Sequence, residues 1–126
     1  MKKLILATAL LAFGSMASAA TTNTALGSAG GGGSTTVTSG ASGNCVLLSA
    51  DAKITLSAAN IGVASCDSTT ANMGVATGNL NGKGYVYSIG STGGGITASS
   101  QQTDLSETAM RAKAVTDAAA KSALTS

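Results

Sequence analysis

The feature that most limits this chain is how little it has to bury. After its first 19 residues it holds only two aromatic side chains, Tyr85 and Tyr87, and Gly, Ala, Ser and Thr dominate. Burial stabilises in proportion to apolar area, at about 25 cal/mol per Å². An Ala hides far less area than a Leu or a Phe. A core of this kind is thin, and a chain of this size needs a staple, a partner copy, or both. The staple is visible. Cys45 and Cys66 are the only cysteines and allow one intramolecular pairing. They are not a C-x-x-C pair, and the chain has no His, so neither redox nor metal chemistry has a framework around them. A structural disulfide is expected, worth about 3 kcal/mol in the chain-entropy model.

An oxidising destination is written into the N-terminus. Lys2 and Lys3 are followed by an apolar run from Leu4 to Phe13, too short to span a bilayer, and then by Ala17-Ser18-Ala19. This is the layout of a secretory signal peptide cut between Ala19 and Ala20. Ala20 is not a Cys, so no lipid anchor is expected. The Lys-Lys start followed by Leu and Ala points to a bacterial chain of the Gram-negative kind. Export leads to the periplasm, the cell surface or the medium, where disulfides persist. No later stretch approaches the roughly 18 apolar residues of a membrane helix.

Removing the leader changes the charge. The excess of 7 basic over 5 acidic residues is Lys2 and Lys3 alone. What remains is Lys53, Lys83, Arg111, Lys113 and Lys121 against Asp51, Asp67, Asp104, Glu107 and Asp117, a balance of zero. Such a chain has no electrostatic footprint for nucleic acid and little charge to keep copies apart.

Four regions follow. Residues 1–19 are the signal peptide. Residues 20–43 read as a flexible Gly/Ser/Thr-rich arm, with Gly30-Gly31-Gly32-Gly33 at its centre and Leu26 and Val37 as its larger apolar residues. A sharper reading lets Thr35 to Ser39 add as a strand to a neighbouring subunit. Residues 44–100 carry the disulfide-stapled β domain. Val46 and Leu48 alternate there, as do Ile54 and Leu56. Asn60-Ile61-Gly62-Val63-Ala64-Ser65 is echoed by Asn72-Met73-Gly74-Val75-Ala76-Thr77, with turn material between, as in an antiparallel meander. Residues 101–126 read as an amphipathic Ala-rich helix. Asp104 stands as N-cap with Glu107 three residues on. Glu107–Arg111, Lys113–Asp117 and Asp117–Lys121 are spaced i,i+4. The charges gather on one side, leaving Leu105, Ala109, Ala112, Thr116, Ala119 and Ala123 as the smooth face.

The clearest hairpin runs from Gly74 to Ile89. Asn81-Gly82 is the preferred pair of a two-residue type I′ turn. That turn sets Leu80 opposite Lys83, Gly78 opposite Tyr85, Ala76 opposite Tyr87 and Gly74 opposite Ile89. The tyrosines would then cover a bare glycine track on the next strand. Packing explains the pair in that arrangement, and a ligand-stacking platform would use the same two rings.

The catalytic inventory is short. The commonest general base is missing with His, and there is no Ser-His-Asp set, no G-x-S-x-G elbow and no S-x-x-K. Gly78 to Gly84 superficially resembles a phosphate loop but is one residue short and lacks Ser or Thr after Lys83. No metal site, cofactor motif or catalytic residue is assigned. The expected fold is mainly β: a small antiparallel meander or sandwich-like sheet with one disulfide, a flexible N-terminal arm and a C-terminal α-helix. The expected function is that of a small exported non-enzymatic protein with a structural or surface-associated role, self-associating through poorly charged sheet edges. The alternative is a periplasmic binding or accessory module with Tyr85 and Tyr87 as its contact surface and an unidentified protein or surface as partner. A third class, an exported antibacterial peptide precursor, rests on the small-residue composition alone.

Overall fold

In the computed structural model, residues 21–40 and 45–124 are described. The leader and its Ala19–Ala20 cleavage point lie outside them. Among the described residues seven strands precede one helix: β1 (Thr21–Leu26), β2 (Gly33–Val37), β3 (Ala52–Leu56), β4 (Asn60–Asp67), β5 (Asn72–Asn79), β6 (Val86–Gly90), β7 (Thr97–Ala98) and α1 (Glu107–Ser122). Five strands form one antiparallel sheet in the order β1-β4-β5-β6-β7, and β2 pairs with β3 in a separate two-stranded ribbon. The chain is mainly β, with antiparallel sheets and a C-terminal helix, as the sequence leads one to expect.

The internal echo becomes β4 and β5, two strands of 8 residues paired along their full length. Between them Asp67 Oδ1 accepts from Thr69 N at 2.8 Å and Thr70 N at 3.3 Å, the side-chain-closed turn that Asp favours.

Residues 21–37 are not a flexible arm. β1 pairs with β4 from Thr21↔Asp67 to Leu26↔Gly62, and Thr35 to Val37, read above as a strand for a neighbouring subunit, pair in β2 with Ile54 to Ala52 of the same chain. Val37, at the end of β2, is 1 % exposed and Leu26 is 0 % exposed. The two large apolar residues of an otherwise polar stretch thus anchor it in the core. Composition undervalues such a segment, because β4 supplies the ladder that it cannot supply for itself. Val46 and Leu48 also depart from expectation. They lie in an irregular stretch after Cys45, with Val46 exposed.

Side chains alternate across the sheet, so each face packs separately. One face meets α1 in a cluster of Ile61, Val63, Ala76 and Val86 with Met110, Ala114 and Ala118. The other face and the ribbon bury Leu26, Val37, Cys45, Ala64 and Cys66, with Leu47, Leu48, Ile54, Leu56, Met73 and Val75 against them. Cys45 and Cys66 form the disulfide inside this second cluster, their Cα atoms 5.4 Å apart, a usual separation for the bond.

The helix contact is unusually close because β5 and β6 present glycines to it. A Cβ on Gly74 would lie 2.0 Å from the Ala118 carbonyl oxygen, and one on Gly90 would lie 3.0 Å from that of Lys121. The buried row of α1 is Met110, Ala114, Ala118 and Ser122, spaced i,i+4. This corrects the expected smooth face, since Ala112, Thr116 and Ala123 are exposed. Alanine lines nearly the whole helix, so hydrophobicity could not select a face. The glycine track selects the row whose backbone can come closest. The cap is corrected too. Ser106, not Asp104, accepts from Ala109 N at 3.3 Å, while Asp104 Oδ1 holds Ser106 N at 2.9 Å. Two of the three expected ion pairs form, Glu107–Arg111 and Lys113–Asp117. At the far end Thr70 Oγ1 and Asn72 Nδ2 donate to the carbonyls of Ser122 and Leu124, both at 2.6 Å, giving partners to groups that a helix leaves open.

Candidate functional site

The tyrosines sit where the β5–β6 connection returns to the sheet, and that connection is not a type I′ hairpin. Gly82 N donates to Asn79 O at 3.1 Å, and Asn81 N donates to Asn79 Oδ1 at 2.9 Å. The left-handed residue is Gly84, at φ +80°, two places later than one such turn position would fall. Tertiary contacts dictate this longer loop. Leu80 N donates to Ala59 O, and Gln102 N donates to Gly84 O, each at 2.8 Å. A Cβ on Gly84 would stand 2.3 Å from Gln102 O.

The register therefore slips by one residue. Gly78 pairs with Val86, Thr77 with Tyr87, Ala76 with Ser88, Val75 with Ile89 and Gly74 with Gly90. A slip of one sends every side chain to the opposite face. The expected cover of Gly78 by Tyr85 and of Ala76 by Tyr87 is thus corrected. Gly78 accommodates Met110, whose Cε would be 3.0 Å from a Cβ there, and the glycine track belongs to the helix. Tyr85 and Tyr87 lie on the ribbon side. Tyr87 stays 50 % exposed there and Ile89 41 %, while Tyr85 is half-buried.

An open cleft of about 380 Å³ lies over this end of the sheet, and the lining that gives it its chemistry is Asn60, Thr77, Asn79, Lys83, Tyr85 and Tyr87. The two rings have centroids 6.5 Å apart and are tilted by 45°, within the range of favourable aromatic pairs. Asn60 and Asn79 are cross-strand partners. Asn79 Nδ2 donates to Asn60 Oδ1 at 2.7 Å, and Asn60 Nδ2 donates to Ser57 Oγ. Each amide is thereby oriented, and each NH₂ group keeps a second N–H. Lys83 is the one charged residue of the lining, and there is no carboxylate. The structure brings together the two tyrosines named from sequence. It adds Asn60, Asn79, Thr77 and Lys83, which no local motif marks, because their meeting depends on the β4–β5 register and the loop after β5.

The strongest electrostatic cluster lies elsewhere, at the start of α1. Arg111 Nε donates to Glu107 Oε1 at 2.7 Å, while its other nitrogens donate to the carbonyls of Leu26, Gly27 and Ser28 at 3.1, 3.3 and 2.9 Å. Glu107 Oε2 accepts from Gly30 N at 2.8 Å. That backbone bond first, and the Arg111 side chain second, hold the Glu107 carboxyl below its ordinary range, against a smaller opposing effect of burial. The pair clasps the glycine-rich β1–β2 loop to the helix, a structural use of four of the five guanidinium N–H groups. The Ser39 amide and hydroxyl similarly lower Asp51.

Among the described residues no three His, Cys, Asp or Glu side chains gather as a metal site, and both cysteines are in the disulfide. No helix among them is long and apolar enough to cross a membrane. What the tyrosine cleft can do chemically is present two aromatic faces beside fixed amide donors and acceptors. Comparison with protein-family models, with curated proteins and with solved structures finds no match.

Proposed function

We propose that this is a small exported, non-enzymatic protein with a structural role at a surface, acting through the part of its sheet that the ribbon leaves uncovered. The observation that carries this reading is the exposure of Tyr87 and Ile89, 50 % and 41 %, on a strand whose opposite face is sealed by α1. Adjacent large apolar side chains held open on a rigid sheet are a contact surface by composition. The neutral charge after residue 19 and the disulfide suit an exported protein that meets copies of itself or a surface. Multi-angle light scattering of the protein beginning at Ala20 tests it, beside a Tyr87→Ser, Ile89→Ser double variant. Assemblies that disperse in the variant are the expected result. A monomer in both sinks self-association.

The second reading is a binding module, favoured by the cleft beside Tyr85 and Tyr87. Its size falls in the lower range of small-molecule sites. Here Tyr87→Ala is expected to abolish attachment to cells or cell envelopes while leaving the unfolding midpoint nearly unchanged.

A further inference from the structure

We infer that the cleft over the loop end of the sheet is a saccharide site, with a neutral pyranose seated on Tyr87 and Tyr85 and its hydroxyls read by Asn60, Asn79 and Thr77. The inference rests on the reading of this cleft as a binding site and names what it binds.

The lining decides the chemistry by what it offers. Tyr87 presents an open ring, and Tyr85 stands beside it at 45° rather than stacked, so the two faces form an angled wall. An aromatic face is weakly negative and takes up polarised C–H groups. One side of a pyranose is a patch of such C–H groups, while its rim carries hydroxyls that both donate and accept. Asn60 and Asn79 match that rim. Each amide is already fixed by one bond through its NH₂, and the remaining N–H and the second oxygen lone pair give a donor and an acceptor in known directions. Pre-oriented amides avoid the ordering cost that free side chains would add on binding. Thr77 lies opposite Tyr87 on the same face and adds a hydroxyl.

Other ligand classes fit less well. A metal cation would meet no carboxylate in the lining, and a phosphate would meet one ammonium, Lys83, on an exposed loop with no arginine beside it. An extended peptide would need a free strand edge, but at Tyr87 and Ser88 the outer edge of β6 is taken by Ala98 and Thr97. A lipid chain would offer nothing to the remaining N–H of either amide. A neutral polyol with one apolar side satisfies every element.

The test is NMR titration of the isotope-labelled protein beginning at Ala20 with two soluble probes, cellobiose and N,N′-diacetylchitobiose. It is run beside attachment of the same protein to cell envelopes before and after periodate oxidation of their glycans. The expected result is saturable shifts centred on Tyr85, Tyr87, Asn60 and Asn79 with at least one probe. Tyr87→Ala should weaken binding roughly tenfold or more, and Asn79→Leu should weaken it with the fold intact by its amide spectrum. Lys53→Ala, an exposed position on β3 outside the cleft lining, should leave it unchanged. Absence of shifts with both probes, together with Tyr87-dependent attachment that survives periodate, overturns the saccharide and leaves a binding site for another class. Absence of shifts together with attachment indifferent to Tyr87→Ala overturns the site itself.

Discussion

The two faces of the central sheet are closed by opposite means. On the helix side the closure is geometric: Gly74, Gly78 and Gly90 let α1 settle almost onto the strand backbone, and Ala114, Ala118 and Ser122 fit the space. On the ribbon side it is covalent and incomplete. The Cys45–Cys66 bond draws a loop and two short strands over Leu26, Ala64 and Met73, and the cover stops short of Tyr87 and Ile89. A chain with few large side chains can thus seal one face by bringing backbones together. The same poverty leaves the second face only half covered, and it is there that Tyr87 and Ile89 stand exposed.

Ways to break this contrast follow in order of size. Gly74→Val strikes the tightest contact, and its Cβ has backbone on the far side that cannot give way. The helix must lift, and a loss upwards of about 3 kcal/mol, beyond ordinary overpacking, should appear in chemical denaturation. Gly62→Val makes the matching change on the ribbon side, where a Cβ would meet Ala76 O at 3.0 Å and the Thr77 methyl at 3.2 Å. It should cost clearly less, and equal losses would erase the distinction between the faces. Next comes the staple: replacing both cysteines by Ser should remove about 3 kcal/mol, with the ribbon amides losing hydrogen-exchange protection before those of α1. Labelling of both thiols in the unreduced, unfolded wild type would show that the bond does not form.

Acid should loosen the Glu107–Arg111 clasp before it loosens either core. Glu107 has its folded pKa lowered. Its contribution is therefore present above the ordinary Glu value, near 4.3, and fades as pH falls through the lowered folded value. Exchange at Gly30 N followed by NMR checks this, and Glu107→Gln should remove most of the pH dependence there. The smallest effect should be a gain. Ala59 sits at φ 61° in the β3–β4 turn, a conformation costing L-residues about 1 kcal/mol. Ala59→Gly should raise the midpoint by a fraction of that, because glycine also gains freedom when unfolded.

The parts of the fold legible in sequence were those fixed by local chemistry. The Asp67 turn, the β4–β5 echo, two of the three i,i+4 pairs and the single cysteine pairing each depend on residues near one another or on a lack of alternatives. What was not legible depended on distant contacts. Asn81-Gly82 has the composition of a tight turn, yet Leu80 and Gly84 are claimed by Ala59 and Gln102, and the register moved by one. The same slip hid the purpose of the glycines, which serve α1 and not Tyr85. Leu26 and Val37 gave the only hint that residues 21–37 are ordered, and two residues could not outweigh their polar neighbours. Of the candidate site, the two rings were visible and the amides beside them were not.

The clasp at Arg111 also sets an order of events. Ribosomes make β1 first and α1 after every strand, yet Arg111 of α1 holds the carbonyls of Leu26 to Ser28, some 85 residues earlier. β1 itself waits for β4, since Thr21 pairs with Asp67. Until the helix arrives, Ile61, Val63, Ala76 and Val86 have water where Met110 and Ala114 belong. Loss of α1 would therefore open that cluster to water, and its docking is what shuts this face of the sheet.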